Sequence, residues 1–274
     1  MKKYILVTLI AAAGAMPFLV PRDKGPAVKR EAEFCSLDLK ACQDNIIRYL
    51  KERKDTLAQE EINKVLSVSG DDRCALWAQA EILRRGYKFK ESEKILKGIL
   101  NRCPGDAPSL ITLSYIRYNE SNFPEAARLL RSVLKQPGLE RENKAMAYML
   151  LGSINAKKAQ KRGVWNKLAF GTRIKGYFER ALELAPDLAE VHLGLGTFCL
   201  FAPKIAGGDT DRALHELKTA VELAPDFATA NARLAQAFKK KGNLEGFRSY
   251  LRKAKELDPG NEAVKEIEDE EPGN

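Results

Sequence analysis

Residues 178–196, FERALELAPDLAEVHLGLG, are followed by LKTAVELAPDFATANARLA at 217–235 and LRKAKELDPGNEAVKEIED at 251–269. The three segments share an apolar residue, an alanine three positions on, then Glu-Leu and, one residue later, a proline; Pro225 and Pro259 lie 34 residues apart. A fixed period of this kind means stacked units, each too small to bury its own apolar face.

The shared residues explain how one unit forms. Small residues (Gly152, Gly196 and Ala235 on the first helix of a pair; Ala181, Ala220 and Ala254 on the second) let two helices approach closely. Leu195, Phe198, Leu234 and Phe238 on first helices, with Phe178, Leu217 and Leu251 on second helices, fill the groove between them. Each proline closes a second helix, because the residue before it is driven out of the helical region. The expected fold is an all-α, right-handed α-solenoid of helix pairs.

Upstream the pattern weakens but continues. Residues 107 to 137 place Leu110, Leu113, Phe123, Ala126, Leu130 and Val133 as expected, and residues 73 to 104 do the same with Leu76, Ala80, Leu83, Ser92, Leu96 and Ile99. That makes five pairs; LKACQDNIIRYLKE and AQEEINKVLSV within residues 37 to 68 read as a degenerate sixth. The solenoid is expected over residues 35–268, with residues 269–274 as an acidic frayed tail. Two intervals exceed the period: 49 residues from Pro137 to Pro186, and 39 from Pro186 to Pro225. The extra residues fall between the helices of their pairs, in AKKAQKRGVWNKLAFGTRIK and FAPKIAGGD. Such insertions collect on one face, which is often the binding face.

Charged residues make up 30% of the chain, which suits a helical array better than a compact globule. Residues 1–30 read as an export signal or N-terminal anchor: Lys2 and Lys3 precede an apolar run from Tyr4 to Val20, followed by small residues around Gly25 and Ala27. Cleavage is favoured over an anchor because the run is short for a span and holds Pro17. The expected location is therefore periplasmic, and the mature chain stays basic. Five cysteines are an odd number for an exported protein. Cys74 opens a first helix and Cys103 closes its partner, which brings them together as a candidate disulfide; the alternative is two reduced thiols. Cys199 reads as a small core residue. With two histidines and no two-residue cysteine spacing, neither a metal nor a cofactor is expected, and no enzyme.

Residues 73 to 259 resemble the tetratricopeptide repeat proteins. The stretch from Tyr148 to Pro225, with its basic insertion and APKIAGGD before TDRALHE, is similar to a narrower group of exported bacterial repeat proteins. It also looks like the T component that accompanies some periplasmic TRAP transporters. The resemblance implies a periplasmic scaffold that touches a solute-binding subunit, although the lipoprotein cysteine of that component is missing. The lysine and asparagine set with which chaperone-binding relatives grip a peptide's C-terminal carboxylate is also missing.

In such a solenoid the first helices line the concave surface. The positions expected there are Trp77, Ile111, Tyr115, Tyr118, Met149, Leu193, Leu200, Gln236 and Lys239. This mostly apolar row reads as a groove for a protein partner or an apolar small ligand, unless tight winding or the N-terminal helices bury it. The insertion carries Lys157, Lys158, Lys161, Arg162, Lys167 and Arg173 around Trp165, a pattern that can meet an anionic membrane surface; the alternative is a solvated loop or helix extension. Export argues against nucleic acid. Gly207 and Gly208 read as a turn rather than a phosphate cradle, because Asp209 stands at the N-cap and would occupy the same donors.

Overall fold

The computed structural model describes residues 38–160 and 164–270, side chains 160 and 164–172 excepted. The chain divides into Met1–Asp38 and Leu39–Asn274, and the described helices all belong to the second unit. Among the described residues that unit is all-helical, an α-solenoid of six helix pairs and a closing helix. The pairs are α1 (Leu39–Lys51) with α2 (Asp55–Val68), α3 (Arg73–Arg85) with α4 (Phe89–Arg102), and α5 (Ala107–Asn119) with α6 (Phe123–Leu134). They continue as α7 (Arg141–Gln160) with α8 (Val164–Leu184), α9 (Ala189–Phe201) with α10 (Thr210–Leu223), and α11 (Ala228–Lys240) with α12 (Leu244–Leu257). Helix α13 (Glu262–Asp269) follows, its Val264 and Ile267 buried against the last pair, so part of the acidic C-terminal sequence is packed helix.

Local chemistry sets the boundaries. Asp72, Asp106, Asn122 and Asn243 each accept a hydrogen bond from a backbone N–H three residues on, at 2.8–3.3 Å. Capping of this kind contributes about 1 kcal/mol per helix. The turn inside the first three pairs and the last one holds one left-handed residue. Arg53, Tyr87 and Ser121, spaced by the 34-residue period, occupy it with φ of 62°, 60° and 59°, and Gly242 occupies it in the last pair with φ 78°. Only glycine takes this conformation without strain.

Packing follows from small residues on facing helices. A Cβ on Gly152 would lie 3.0 Å from Phe178 Cζ, and one on Gly196 2.7 Å from Leu217 Cγ. Leu96, Ile116, Leu130, Leu195 and Leu217 are fully buried between neighbouring pairs, each contributing about 1.5–3 kcal/mol.

The two insertions resolve differently. The longer one extends α7 and α8 to 20 and 21 residues, against 12–14 in the other paired helices. The shorter one forms a 3-10 turn, Lys204–Ala206, followed by Gly207 at φ 98°. A Cβ on Gly208 would sit 1.8 Å from Ala202 O, so no side chain fits there. Asp209 then caps α10 by accepting from the N–H groups of Asp211 and Arg212, as the sequence implied.

Candidate functional site

The inward stripe of α3 carries Trp77, Glu81 and Arg84 at i, i+4 and i+7, with Arg85 beside them. Glu81 is buried and accepts from Arg84 Nε at 2.9 Å and from Arg84 Nη2, from Arg85 Nε at 3.0 Å and from Thr112 Oγ1 at 3.1 Å. Trp77 Nε1 donates to the same Thr112 hydroxyl. Arg85 also binds Asp55 Oδ1 at 2.6 Å and Leu50 O at 3.1 Å, tying the stripe to the first pair.

That first pair reaches further. Arg53, on the strained turn between α1 and α2, donates to Glu190 Oε1 at 2.6 Å and stacks its guanidinium 3.8 Å above the Phe227 ring. Lys51 pairs with Glu142. The α1–α2 turn therefore touches the fourth, fifth and sixth pairs from the inner side. Arg53 Nε is buried without a hydrogen-bond partner, and the contact with Phe227 offsets part of that cost.

Burial opposes the charge on Glu81, but Arg84, Arg85 and Arg53 outweigh it and hold the carboxyl well below its usual range. Burial lowers the Arg53 guanidinium, with Arg85 adding to the effect, whereas Glu81 raises that of Arg84 in spite of burial. Burial shifts two phenols up: Tyr115, which faces the cluster with Arg84 stacked 4.6 Å away, strongly, and Tyr118, whose charged neighbours are Glu262, Arg233 and Glu266, to about 12. Arg53, Arg84 and Arg85 face Glu81, Glu190 and Asp55, so the cluster is balanced in charge.

Of the row expected on the concave surface, Trp77, Tyr115, Tyr118, Leu193 and Lys239 are half-buried. Ile111, Met149, Leu200 and Gln236 are buried, which corrects their reading as open groove positions. Winding is the reason: Ile111 and Leu200 join the inter-pair cores, Tyr115 OH lies 3.9 Å from Met149 Sδ, and Gln236 accepts from Arg233. Sequence reasoning named Trp77 but missed Glu81 and Arg84, which extend its helical stripe by one and two turns. Arg53 carried a signal too, since it lies 34 residues before Tyr87 at the recurring turn.

Lys157 and Lys158 end the described part of α7 half-buried, and Arg173 is exposed on α8. Lys161 and Arg162 fall outside the described residues, as do the side chains of Trp165 and Lys167. The proposed Cys74–Cys103 disulfide is not formed: Cys74 is half-buried near Lys40 and Asp44 of α1, Cys103 is exposed, and both are free thiols. Cys199 is fully buried. His192 bonds on both sides, Nε2 to Pro186 O and Nδ1 to Glu216 Oε2, each at 2.8 Å. Both neighbours are acceptors, so the site favours the protonated ring, and the bonds to Glu216 and Pro186 O raise the His192 pKa against the opposing effect of burial. Among the described residues no group of three or more His, Cys, Asp or Glu is placed to hold a metal, and no helix is long and apolar enough to cross a membrane.

Residues 204–268 match the tetratricopeptide repeat family model. No curated protein matches the chain. A tetratricopeptide protein of Thermus thermophilus shares 17% identity, covering 70% of this chain and 95% of that one, at TM-score 0.55. Human IFIT1, solved as a dimer with PPP-AAAA, shares 16% identity over 78% of this chain and 49% of its own, at TM-score 0.54. Pseudomonas aeruginosa PilF shares 18% identity over 85% of this chain and 97% of its own, at TM-score 0.46. In sequence, residues 204–268, from the turn before α10 through α13, match tetratricopeptide repeats, and the fold of the array is similar to that of tetratricopeptide proteins.

Proposed function

We propose that the chain is an exported interaction scaffold, which holds a protein partner in the periplasm for an envelope or transport assembly such as the one served by the T component of TRAP transporters. The observation that carries this reading is the state of the inner surface. The charges of its Glu81 cluster are spent on one another, while Trp77 and Tyr115 beside that cluster, and Tyr118 farther along, are only partly covered. Paired charges and rigid aromatics suit gripping a protein surface better than transforming a substrate. The export half of the proposal rests on the N-terminal sequence, which lies outside the described residues.

Crosslinking in the envelope fraction, followed by direct binding of the recovered protein to the purified chain, tests the scaffold. Trp77→Ala and Tyr118→Ala should weaken that binding while the helical circular dichroism is kept. The second reading, a carrier of an apolar small ligand, draws on the same aromatic row and Leu193. The ionic cluster in their midst makes it the weaker reading. Native mass spectrometry separates the two: a small molecule retained at stoichiometry, with no protein recovered, would overturn the scaffold.

A further inference from the structure

The first pair is bound to the array in two ways. Helix packing joins α1 and α2 to each other and to α3. Toward the far half the turn between them sends side chains: Lys51, in a solvated pair with Glu142, and the much better enclosed Arg53. The side chains of Arg53 and Glu190 are only 11% and 14% exposed. Glu190 takes the Nη2 donor at 2.6 Å, while the guanidinium stands 3.8 Å over Phe227.

Both walls of this seat belong to the far half. Glu190 stands on the first turn of α9, and Phe227 at the N-cap of α11. The Phe227 N–H donates to Ala224 O at 3.0 Å, and its carbonyl accepts from Asn231 N at 3.1 Å and Nδ2 at 3.0 Å, so a fixed backbone carries the ring. Neither wall is a repeat-wide residue. The sixth pair has Thr229 where the fifth has Glu190, and the fifth has Leu188 where the sixth has Phe227. A carboxylate beside an aromatic face selects arginine, whose planar guanidinium donates in its plane and stacks through its face at once; a lysine ammonium lacks that plane.

Arg53 fills the seat imperfectly. Its backbone is left-handed at φ 62°, and its Nε is buried with no acceptor. An arginine delivered from a relaxed backbone would have neither defect. We propose that the seat recognises an arginine-bearing segment of the protein partner, and that the α1–α2 turn occupies it in cis as an autoinhibitory plug. Arg53 is also among the charges that act on Tyr115 and Glu81, so its departure opens the inner surface on which the scaffold reading rests. The helices α1 and α2 stay folded on α3 meanwhile, because that packing does not involve the seat. The inference deepens the scaffold reading by naming what the partner must present.

The test uses the full chain with Arg53→Gly, since glycine takes the left-handed turn without strain, as Gly242 does in the last pair, and leaves the seat empty. The probe is a fluorescein-labelled peptide of residues 47–58 of this chain, titrated by anisotropy. It should bind the glycine variant about tenfold or more tightly than it binds the wild type. Arg53→Lys in the peptide, or Glu190→Gln added to the glycine variant, should each lose about tenfold. Arg53→Asn, which also tolerates the turn, replaces the glycine variant if that one loses its helical circular dichroism. Equal binding to wild type and variant, equal binding of the arginine and lysine peptides, or no binding to the variant would overturn the proposal. An Arg53-dependent dimer of the wild-type chain in light scattering would overturn it too, giving the seat to the turn of a second copy. None of these results requires a captured partner, so this inference and the scaffold reading fail separately.

Discussion

Replacing Glu81 by alanine should cost this protein about 3 kcal/mol. The side chain is 11% exposed and serves Arg84, Arg85 and Thr112 at once. Removing one partner of a buried ion pair generally costs about 3–5 kcal/mol, because the other charge is left without an answer. Here the low end applies: Arg85 keeps Asp55 and the Leu50 carbonyl, and Arg84 keeps the face of Tyr115. For a chain of this size about 2–4 °C of melting temperature corresponds to each kcal/mol, so the midpoint should drop by about 6–12 °C. Thermal melts followed by circular dichroism, with urea titrations at 25 °C, give both numbers. In a second variant, Glu81→Met with Arg84→Met, both charges leave together and most of the loss should return. A cost below about 1 kcal/mol, the range of solvated surface pairs, would refute the reasoning: water would then fill the inner space and the first turn would not be docked there.

Gly196→Ala should destabilise by about 1–3 kcal/mol in urea titrations, since its new methyl meets Leu217 at 2.7 Å; on an open helix face the same change would stabilise by about 1 kcal/mol. Ser121→Gly should raise stability by about 0.5–1 kcal/mol in the same assay by relieving a left-handed serine on an exposed turn. His192 predicts a pH profile. Burial works against its charge, but the bonds to Glu216 and Pro186 O prevail and raise its pKa above the ordinary 6.5, so its contribution is full below that value and is lost as pH rises through the folded pKa. Burial of Glu216 is likewise outweighed, by His192 and Arg212, and its pKa falls below 4.5, so its share is lost on acidification. Melting temperature should peak between these limits, and His192→Gln should flatten the alkaline slope.

The helix pairs could be read from the chain because their signal is local: a proline after Glu-Leu, a small residue opposite a large one, and a constant step. The first pair was harder to read, since Ile46 stands where later pairs have Ala80, Gly152, Gly196 or Ala235, and its second helix ends without a proline. The inner surface was readable only in part. Helical spacing put Trp77, Tyr115 and Tyr118 on first helices, where they are half-buried, but whether a position is open depends on how tightly the pairs wind, which is a sum of small rotations that no single repeat displays. Ile111, Met149, Leu200 and Gln236 were lost to that winding. The Arg53–Glu190 contact spans 137 residues, a distance over which sequence periodicity carries no information. Cys74 and Cys103 show the opposite limit: helix ends that are neighbours by topology can still present their side chains to different surroundings.

The contacts made by Lys51 and Arg53 alter how the array should come apart. A linear stack of repeats unravels from its tips, because terminal units have one neighbour instead of two. Here the leading unit is clasped to units four, five and six, so its melting must also break bonds to the far half of the stack. Hydrogen exchange should therefore find the α1 and α2 amides protected about as well as those of the middle pairs, and unfolding should behave as the opening of a ring rather than the fraying of a rope.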